Sequence, residues 1–328
     1  MLFAKPRLLV AACLIIVGLS SAHAVATMRA EDLARGLVEA LVVKLNQTGW
    51  QVQVNKVSAN PYDRSVLVEN IRIRDKMGRA HSIDTLILKN IELNEQRDFV
   101  KSLHLETRDA VITLIKLTDA DNKFNELHSY LQALGINSGR IGHRQLLALD
   151  YDDVSDQLLV TMDGQLHHPA DNKAMSMVDF HWHSRFNNVP DLKQQLALLG
   201  NPENRAALLL PWSQLALISG NLSVQDQGAW EPLMRSAAAR ENMSEADFRA
   251  QLKQQWQSDI NDLRVLPAPL KLQATDAVSI FVDSPQPAMQ LNVDATNQRG
   301  NSLMMAMMTS LISPMVLTQL FEINLEAE

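Results

Sequence analysis

Val66-Leu-Val-Glu-Asn-Ile-Arg-Ile-Arg-Asp75 aligns without gaps on Leu86-Ile-Leu-Lys-Asn-Ile-Glu-Leu-Asn-Glu95. Each stretch has three aliphatic residues, a charged residue, Asn-Ile, and then a charge and another aliphatic residue. Lys76-Met-Gly-Arg79 lies between them and supplies a turn. This repeat predicts successive long antiparallel strands in a meander or a curved sheet. The alternation slips by one residue at Asn70 and at Asn90, which predicts a β-bulge at each position.

The segments around this repeat predict one helix before it and more strands after it. Apolar residues spaced by three and four over residues 31–47 predict an amphipathic helix that ends before Gly49. The alternation that begins at Trp50 predicts a strand. Further strands are predicted at residues 103–116, 146–151, 157–162, 175–185 and 215–224, with a helix at 122–134 and short helical pieces between 192 and 210.

The C-terminal third has a different pattern. Two helices are predicted at residues 229–241 and 244–262, the second with Ser244 as its N-cap and Asp247 in its first turn. Residues 277–282 and 289–293 predict strands, and residues 303–321 predict a Met-rich helix broken by Pro314. The sequence therefore predicts an α+β fold: a curved, mostly antiparallel β-sheet with an N-terminal helix, inserted helices and a Met-rich C-terminal helix.

The first 24 residues indicate export. Lys5 and Arg7 precede an apolar run at residues 8–19, and Ala22-x-Ala24 is the small-residue pattern that signal peptidase cleaves. An uncleaved anchor is the second interpretation, although the run is short for a membrane span. A lipoprotein is the third, because Val10-Ala-Ala-Cys13 resembles a lipobox. The expected location is the periplasm, or the inner membrane with the protein facing the periplasm.

The predicted organisation has four parts. Residues 1–24 form the signal peptide or anchor, and residues 25–117 form the N-terminal helix and the β-repeat region. Residues 118–225 form a β-rich middle region, and residues 226–328 form a region of helices and strands. Residues 25–328 can also be read as one domain, since a chain of 328 residues suits one large domain or two average ones.

Composition excludes several classes of function. The formal net charge is −7, and an acidic chain repels phosphate, which argues against a nucleic-acid partner. Cys13 is the only cysteine, so a cleaved signal peptide leaves no disulfide, no thiolate nucleophile and no Cys-ligated zinc. The sequence has no Gly-x-Ser-x-Gly, no phosphate-binding Gly-rich loop and no His-Glu-x-x-His. We therefore expect no catalytic residues, no cofactor and no enzyme activity, although a dispersed triad would leave no local motif.

Two motifs could bind metal, and both are better explained without it. His181 and His183 share one face of a predicted strand and, with His167 and His168, could form a zinc or copper site. No carboxylate completes that site, so we expect a solvated face with Trp182 and its neighbours packing inward. Residues 150–156 resemble a calcium loop but lack the Gly at its sixth position, which favours an acidic hairpin turn.

The Met-rich tail carries the candidate ligand surface. Leu303, Met304, Met307, Met308 and Leu311 are spaced by three and four, so they share one helical face, and Met305 lies off it. A broad apolar face is normal for an internal helix, which favours a buried helix that covers the sheet. The alternative is a helix that lines an apolar groove for lipid or a peptide, or that touches a membrane, because Met side chains adapt to varied apolar partners.

The order of export signal, short helix and strands of the form Val68-Glu-Asn-Ile-Arg-Ile73 resembles AsmA-like and YdgA-like envelope proteins of Gram-negative bacteria. The stretches 226–234, 242–249 and 281–287 are similar to the closing region of exported proteins of that type. The resemblance covers about two-thirds of the chain, and these motifs are strand and turn patterns. It implies residence in the cell envelope and, for AsmA-like members, a hydrophobic groove that handles lipid. This chain is much shorter than the lipid-bridging members, its anchor looks cleavable, and the resemblance carries over no catalytic residue.

Three functions follow from the sequence. The first is a non-enzymatic envelope protein that binds lipid or another apolar ligand in a groove of the curved sheet. The second is a structural or interaction protein with a closed core that docks to other envelope proteins. The third is a secreted hydrolase whose site has no local motif. The expected partners are a lipid or an envelope protein, with peripheral or anchored membrane association.

Overall fold

A computed structural model describes residues 30–60, 65–93, 100–114, 129–136, 138–152, 154–169, 176–188 and 215–328. The helices are α1 (Ala30–Gln47), α2 (Trp230–Arg240), α3 (Glu245–Asp262), α4 (Ala268–Asp283), α5 (Leu303–Ser310) and α6 (Val316–Leu320). The first strands are β1 (Gln51–Gln53), β2 (Lys56–Asn60), β3 (Ser65–Arg74), β4 (Ala80–Leu93), β5 (Val100–Thr113) and β6 (Arg140–Asp152). The others are β7 (Gln157–His167), β8 (Ser176–Asn187), β9 (Ala216–Asp226), β10 (Ala288–Ala295), β11 (Asn301–Ser302) and β12 (Phe321–Ala327).

The described strands form an open, curved antiparallel sheet, which confirms the predicted α+β class. Its order is β1-β3-β4-β5-β6-β7-β8-β9-β10-β12, with β2 paired to β3 and β11 paired to β9. The chain divides into two compact units. Of the described residues, those within 1–111 and 144–159, with Asn188, belong to the first, and those within 112–143, 160–187 and 215–328 belong to the second.

The first unit has its core between α1 and the start of the sheet. Ala34 and Val38 of α1 are buried with Val52, Val57 and Val68 of the first three strands. This result confirms the predicted N-terminal helix, whose apolar residues recur at helical spacing, and the strand that follows Trp50. Burying these aliphatic side chains supplies the hydrophobic free energy that holds the short strands β1 and β2 against β3.

Asn70 marks a change of side-chain facing that runs across neighbouring strands. Val68 and Ile71 of β3 pack into the same core although they are three residues apart. Their partners on β4, Leu86 and Ile83, do the same. The β3–β4 register stays constant through this point, so no residue is inserted. The predicted bulge at Asn70 is therefore wrong for this strand pair. The alternation of side-chain facing does change at this point, and the left-handed backbone conformation of Asn70, φ 54°, accommodates the change.

At Asn90 the bulge prediction is confirmed. The β4–β5 register shifts between Lys89 and Glu92, so that Asn90 and Ile91 face a single residue, Leu103, on β5. Asn90 has φ 52°, the left-handed conformation that the first residue of one bulge type requires and that Asn tolerates. Two Asn residues at equivalent places of the sequence repeat therefore adopt the same backbone conformation for two different purposes.

In the second unit, helices pack against the end of the sheet. Helix α4 packs against β10, β12 and α3, and α2 packs against α3. The helices α2 and α3 confirm the prediction, and Ser244 accepts a hydrogen bond from the backbone N–H of Asp247 at 3.1 Å, as expected of an N-cap. The strand predicted at residues 277–282 is wrong, because these residues belong to α4. Ala277, Val278 and Val282 are all buried, which is the four-residue spacing of a helix.

The remaining strand predictions are confirmed within the described residues. The hairpin of β6 and β7, the strands β8, β9 and β10, and the turn between β3 and β4 lie where the sequence places them. Residues 129–133 of the predicted middle helix are helical, and Gly135 follows with φ 76°. Residues 122–128 and the helical pieces predicted between 192 and 210 lie outside the described residues, as do the export signal and Cys13.

Candidate functional site

The Met-rich tail is an insertion in a β-hairpin. Strands β10 and β12 pair along their whole length, from Met289 with Ala327 to Ala295 with Phe321. Residues 296–320 connect these two strands and contain β11, α5 and α6. We call residues 300–321 the Met segment. The predicted break at Pro314 is confirmed, because the Met-rich tail forms two short helices on either side of it. The predicted end of the helical segment at Phe321 is corrected, because β12 begins there.

The base of the Met segment is held by hydrogen bonds to one carbonyl. The oxygen of Leu320 accepts from the backbone N–H of Thr296 at 2.9 Å and from its hydroxyl at 3.0 Å, and also from the side-chain amide of Asn301. Residues Asn301 and Ser302 pair with β9 as β11. Because both ends are fixed to the sheet, the two helices are presented from a defined base.

Helix α5 is buried on its small side chains and exposed on its large ones. Ala306 is 2% exposed and Ser310 is also buried. Met308 is 62% exposed and Leu311 is 69% exposed, and Met304 is exposed as well. The interpretation of a helix that only covers the core is therefore wrong for these three side chains. The side chains of Leu303 and Met307, the other two residues of the predicted stripe, lie outside the described part of the structure.

The exposed apolar surface extends beyond the predicted stripe. Met305, which the helical spacing places off the stripe, is exposed, and Ile312 is 89% exposed in the turn after α5. Met315 is exposed too. Ile312 and Met315 lie beyond the predicted stripe, on either side of Pro314, where the sequence predicts a break in the helix. Six large apolar side chains are thus exposed within twelve residues: Met304, Met305, Met308, Leu311, Ile312 and Met315.

The Met segment contains no charged side chain. From Gly300 to Phe321 the sequence has no Asp, Glu, Lys or Arg, although these residues make up 20% of the chain. Arg299 and Glu322 are the nearest charges on either side. Exposed apolar side chains without charges among them are unusual on a protein surface, and large patches of this kind are typical of sites that contact another apolar surface. Met side chains are flexible and polarizable, so such a surface adapts to partners of irregular shape.

The histidine pair of β8 lies on the solvated face, as expected. His181 and His183 are exposed, and Trp182 between them is half-buried. The Nδ1 of His181 is 2.8 Å from a carboxylate oxygen of Asp163. His167, in contrast, is buried, and His168 lies with its Nε2 2.9 Å from the carbonyl of Gly135. Among the residues that the structure describes, no group of three or more His, Cys, Asp or Glu is placed to bind a metal ion.

The acidic stretch after β6 forms a turn. The Asp152 carboxylate accepts from the backbone N–H of Val154 at 2.9 Å and from the hydroxyl of Ser155 at 2.7 Å. These bonds favour the charged carboxylate, so the hydrogen bond from Ser155 and that from Val154 lower the pKa of Asp152. The Tyr151 hydroxyl donates to Asp156 at 2.8 Å. These side chains bind one another within the turn, which agrees with the hairpin interpretation of this motif.

Comparison with known families gives a match over the C-terminal part of the chain. A family described as an uncharacterized protein matches residues 173–328. This range contains β8 to β12, the helices α2 to α4 and the whole Met segment. A search of curated proteins found no match to the chain. None of the helices in the described residues is long and apolar enough to cross a membrane.

Proposed function

We propose that the protein is a non-enzymatic, exported envelope protein that binds lipid through the Met segment. The observation that carries this proposal is the exposure of six large apolar side chains on an uncharged segment that is anchored at both ends. Export is supported by the basic residues, apolar run and Ala22-x-Ala24 site at the N-terminus. In this proposal lipid contacts the Met segment from outside, rather than lying in a groove of the sheet.

Lipid is favoured over a charged partner because the Met segment has no charged side chains. The binding surface for a charged protein partner usually carries charges of the opposite sign. Residues 300–321 carry no charged side chain. An anionic surface is disfavoured further by the net charge of −7. The acyl region of a neutral bilayer needs only apolar side chains that can be removed from water, at about 25 cal/mol for each Å² buried. The expected interaction is therefore shallow insertion into a neutral lipid surface.

Vesicle binding with two substitutions at one position tests this proposal. The full chain should co-sediment with phosphatidylcholine vesicles, and added salt should not weaken binding, because no charge is involved. Met308→Asp places a charge on the exposed stripe and should weaken binding about tenfold or more, since a carboxylate is costly to insert. Met308→Ala is the matched control for size and should keep most of the binding.

Thermal denaturation separates folding from binding in these variants. Because Met308 is 62% exposed, both substitutions should change the free energy of unfolding by less than about 0.5 kcal/mol. A loss of about 2–5 kcal/mol in Met308→Ala would instead indicate a core helix. Equal vesicle binding by wild type and Met308→Asp would contradict lipid contact by the Met segment.

A further inference from the structure

A second candidate site lies in the first unit, where the β4–β5 pairing is irregular. The register shifts between Lys89 and Glu92 and again between Glu92 and Leu93. At this place an open depression of about 500 Å³ is lined by residues of three strands: Asn90, Glu92, Lys101, Ser102, His104, Asp150 and Tyr151. Irregular pairing of this kind is common beside binding and catalytic sites, because it re-aims side chains.

Four of these side chains form one hydrogen-bonded network. The side-chain amide nitrogen of Asn90 lies 3.0 Å from Nδ1 of His104, and Nε2 of His104 lies 3.3 Å from both carboxylate oxygens of Asp150. The hydroxyl of Ser102 donates to Asp150 at 2.5 Å. Since the Asn90 amide is a donor, Nδ1 of His104 accepts and its proton lies on Nε2, facing Asp150.

The network does not have the arrangement of a serine hydrolase. In such a triad the hydroxyl donates to the imidazole, and the carboxylate orients the other side of the ring. Here Ser102 and His104 both donate to Asp150, so the imidazole is not placed to accept the hydroxyl proton. The arrangement instead fixes a carboxylate and an imidazole at the wall of the depression, where such groups can orient a polar ligand.

The lining of the depression indicates the class of ligand. Every lining residue has a polar side chain, which disfavours acyl chains and other apolar ligands. Two carboxylates against one ammonium group disfavour phosphates and polyanions. Hydroxyl groups suit this mixture, because each can donate to a carboxylate and accept from an amide or an ammonium group. The depression, of about 500 Å³, is open to solvent, so a ligand bound there keeps one face in water, as a polyhydroxylated molecule can.

We propose that this depression binds a small neutral saccharide, with Asp150 and Ser102 contacting its hydroxyl groups. His104 is a positioning residue because its Nε2 contacts the Asp150 carboxylate, and Asn90 is one because its amide contacts the other side of the His104 ring. The bulge at Asn90 supplies the geometry, since its left-handed conformation places the Asn90 amide against the ring of His104. This site is independent of the Met segment and of the proposed lipid contact.

Ligand-observed NMR on the full chain tests the proposal. Glucose, N-acetylglucosamine and maltose are the probes, and cyclohexanol is the control for a ring with a single hydroxyl. At least one saccharide should give saturation transfer at about 10 mM or below, and cyclohexanol should give none. Phosphate should not displace the bound saccharide. Absence of transfer from all three saccharides, transfer from cyclohexanol, or displacement by phosphate would each overturn the proposal.

Variants on two sides of the network complete the test. Asp150→Asn should weaken saccharide binding about tenfold or more, because it removes a charge-assisted acceptor. Ser102→Ala should weaken it as well, and serves if Asp150→Asn fails to fold by circular dichroism. Asp163→Asn is the matched control, because Asp163 contacts the exposed His181 outside the depression. Binding that persists in both network variants, or that is lost in Asp163→Asn, would contradict the assignment.

Discussion

Gly300 occupies a position at the base of the Met segment that other residues cannot take without strain. Its φ is 78°, and a Cβ built there would lie 2.8 Å from the carbonyl oxygen of Leu217 on β9. That neighbour is backbone, so it cannot move aside as a side chain would. Leu217 is also the residue with which β11 pairs, through Asn301. Gly300 therefore permits the close approach that anchors the Met segment.

We predict that Gly300→Ala lowers the free energy of unfolding by about 1–3 kcal/mol. The reason is the combination of a left-handed backbone with a backbone clash. Gly228→Ala is the matched control, because Gly228 also has a positive φ, 117°, but its Cβ would meet nothing within 4 Å. Urea denaturation of both variants measures the difference. Equal losses in the two variants would show that the clash with Leu217 contributes nothing.

The two repeat asparagines show how far a residue pattern predicts structure. The sequence predicted both positions where the alternation changes, because the pattern of apolar residues indicates which side chains face the core. It could not tell an inserted residue from a slip that several strands share. That difference depends on the partner strands: β3 and β4 change facing together at Asn70, whereas β5 supplies one residue opposite Asn90 and Ile91.

At the scale of elements, two errors near the C-terminus have physical causes. Residues 277–282 are rich in β-branched and aromatic residues, which favours a strand locally. Val278 and Val282, four residues apart, are both buried, which a helix allows. Packing of these side chains outweighs the local strand preference, so the segment is part of α4. Residues 321–327 alternate Phe, Ile and Leu with Glu and Asn, a clear strand signal. The sequence interpretation passed over that signal because it extended the apolar helical segment, broken at Pro314, as far as Phe321.

The candidate site was only partly predictable for a related reason. Periodicity identified Met304, Met308 and Leu311 as one face of a helix, but periodicity does not say whether a face is covered. The structure buries the small side chains of Ala306 and Ser310 instead. The polar depression at Asn90 was not predicted, because its residues come from three strands and have no shared sequence motif.

Arg249 joins the helices α2, α3 and α4 of the second unit. Its guanidinium contacts carboxylate oxygens of Glu231 on α2 at 2.5 Å and Glu245 on α3 at 2.9 Å, and it donates to the carbonyl of Val282 on α4. The side chain of Arg249 is 12% exposed, so these bonds are poorly replaced by water. A planar group with several donors can satisfy three acceptors at once, which a Lys ammonium does less well.

We predict that Arg249→Met lowers the free energy of unfolding by about 2 kcal/mol, because it leaves Glu231, Glu245 and a carbonyl without their donor. Arg249→Lys should lose a smaller amount. Urea denaturation, followed by the fluorescence of Trp230, measures both. A loss in Arg249→Lys as large as that in Arg249→Met would contradict the account, since it would leave no role for the positive charge.

The same interaction predicts a pH dependence. The hydrogen bond from Arg249 lowers the pKa of Glu245 below its ordinary value of 4.5. The folded state therefore binds fewer protons than the unfolded state, and the stabilisation is present above about pH 4.5 and is lost as the pH falls through the lowered pKa. The stability difference between wild type and Arg249→Met should shrink over that range. A constant difference from pH 6 to pH 3 would contradict this coupling.

At the scale of the whole molecule, the N-terminus decides where the protein acts. The Ala22-x-Ala24 site predicts cleavage after Ala24. Mass spectrometry of the protein from the envelope fraction measures the N-terminus directly. A chain that begins at Met1 would indicate an uncleaved anchor, and an acyl mass on Cys13 would indicate a lipoprotein. Recovery of the protein in the cytoplasm alone would contradict export.

The proposed function requires the Met segment to enter a lipid surface. Ile312, in the turn after α5, is 89% exposed and should enter first. The most direct measurement uses Cys13→Ser as background, with an environment-sensitive fluorophore on Ile312→Cys. Phosphatidylcholine vesicles should shift its emission to the blue. The same label on Asp262→Cys, at the end of α3, should not respond. Emission from the Ile312→Cys label that does not change when vesicles are added, or an equal shift from the Asp262→Cys label, would contradict insertion of the Met segment.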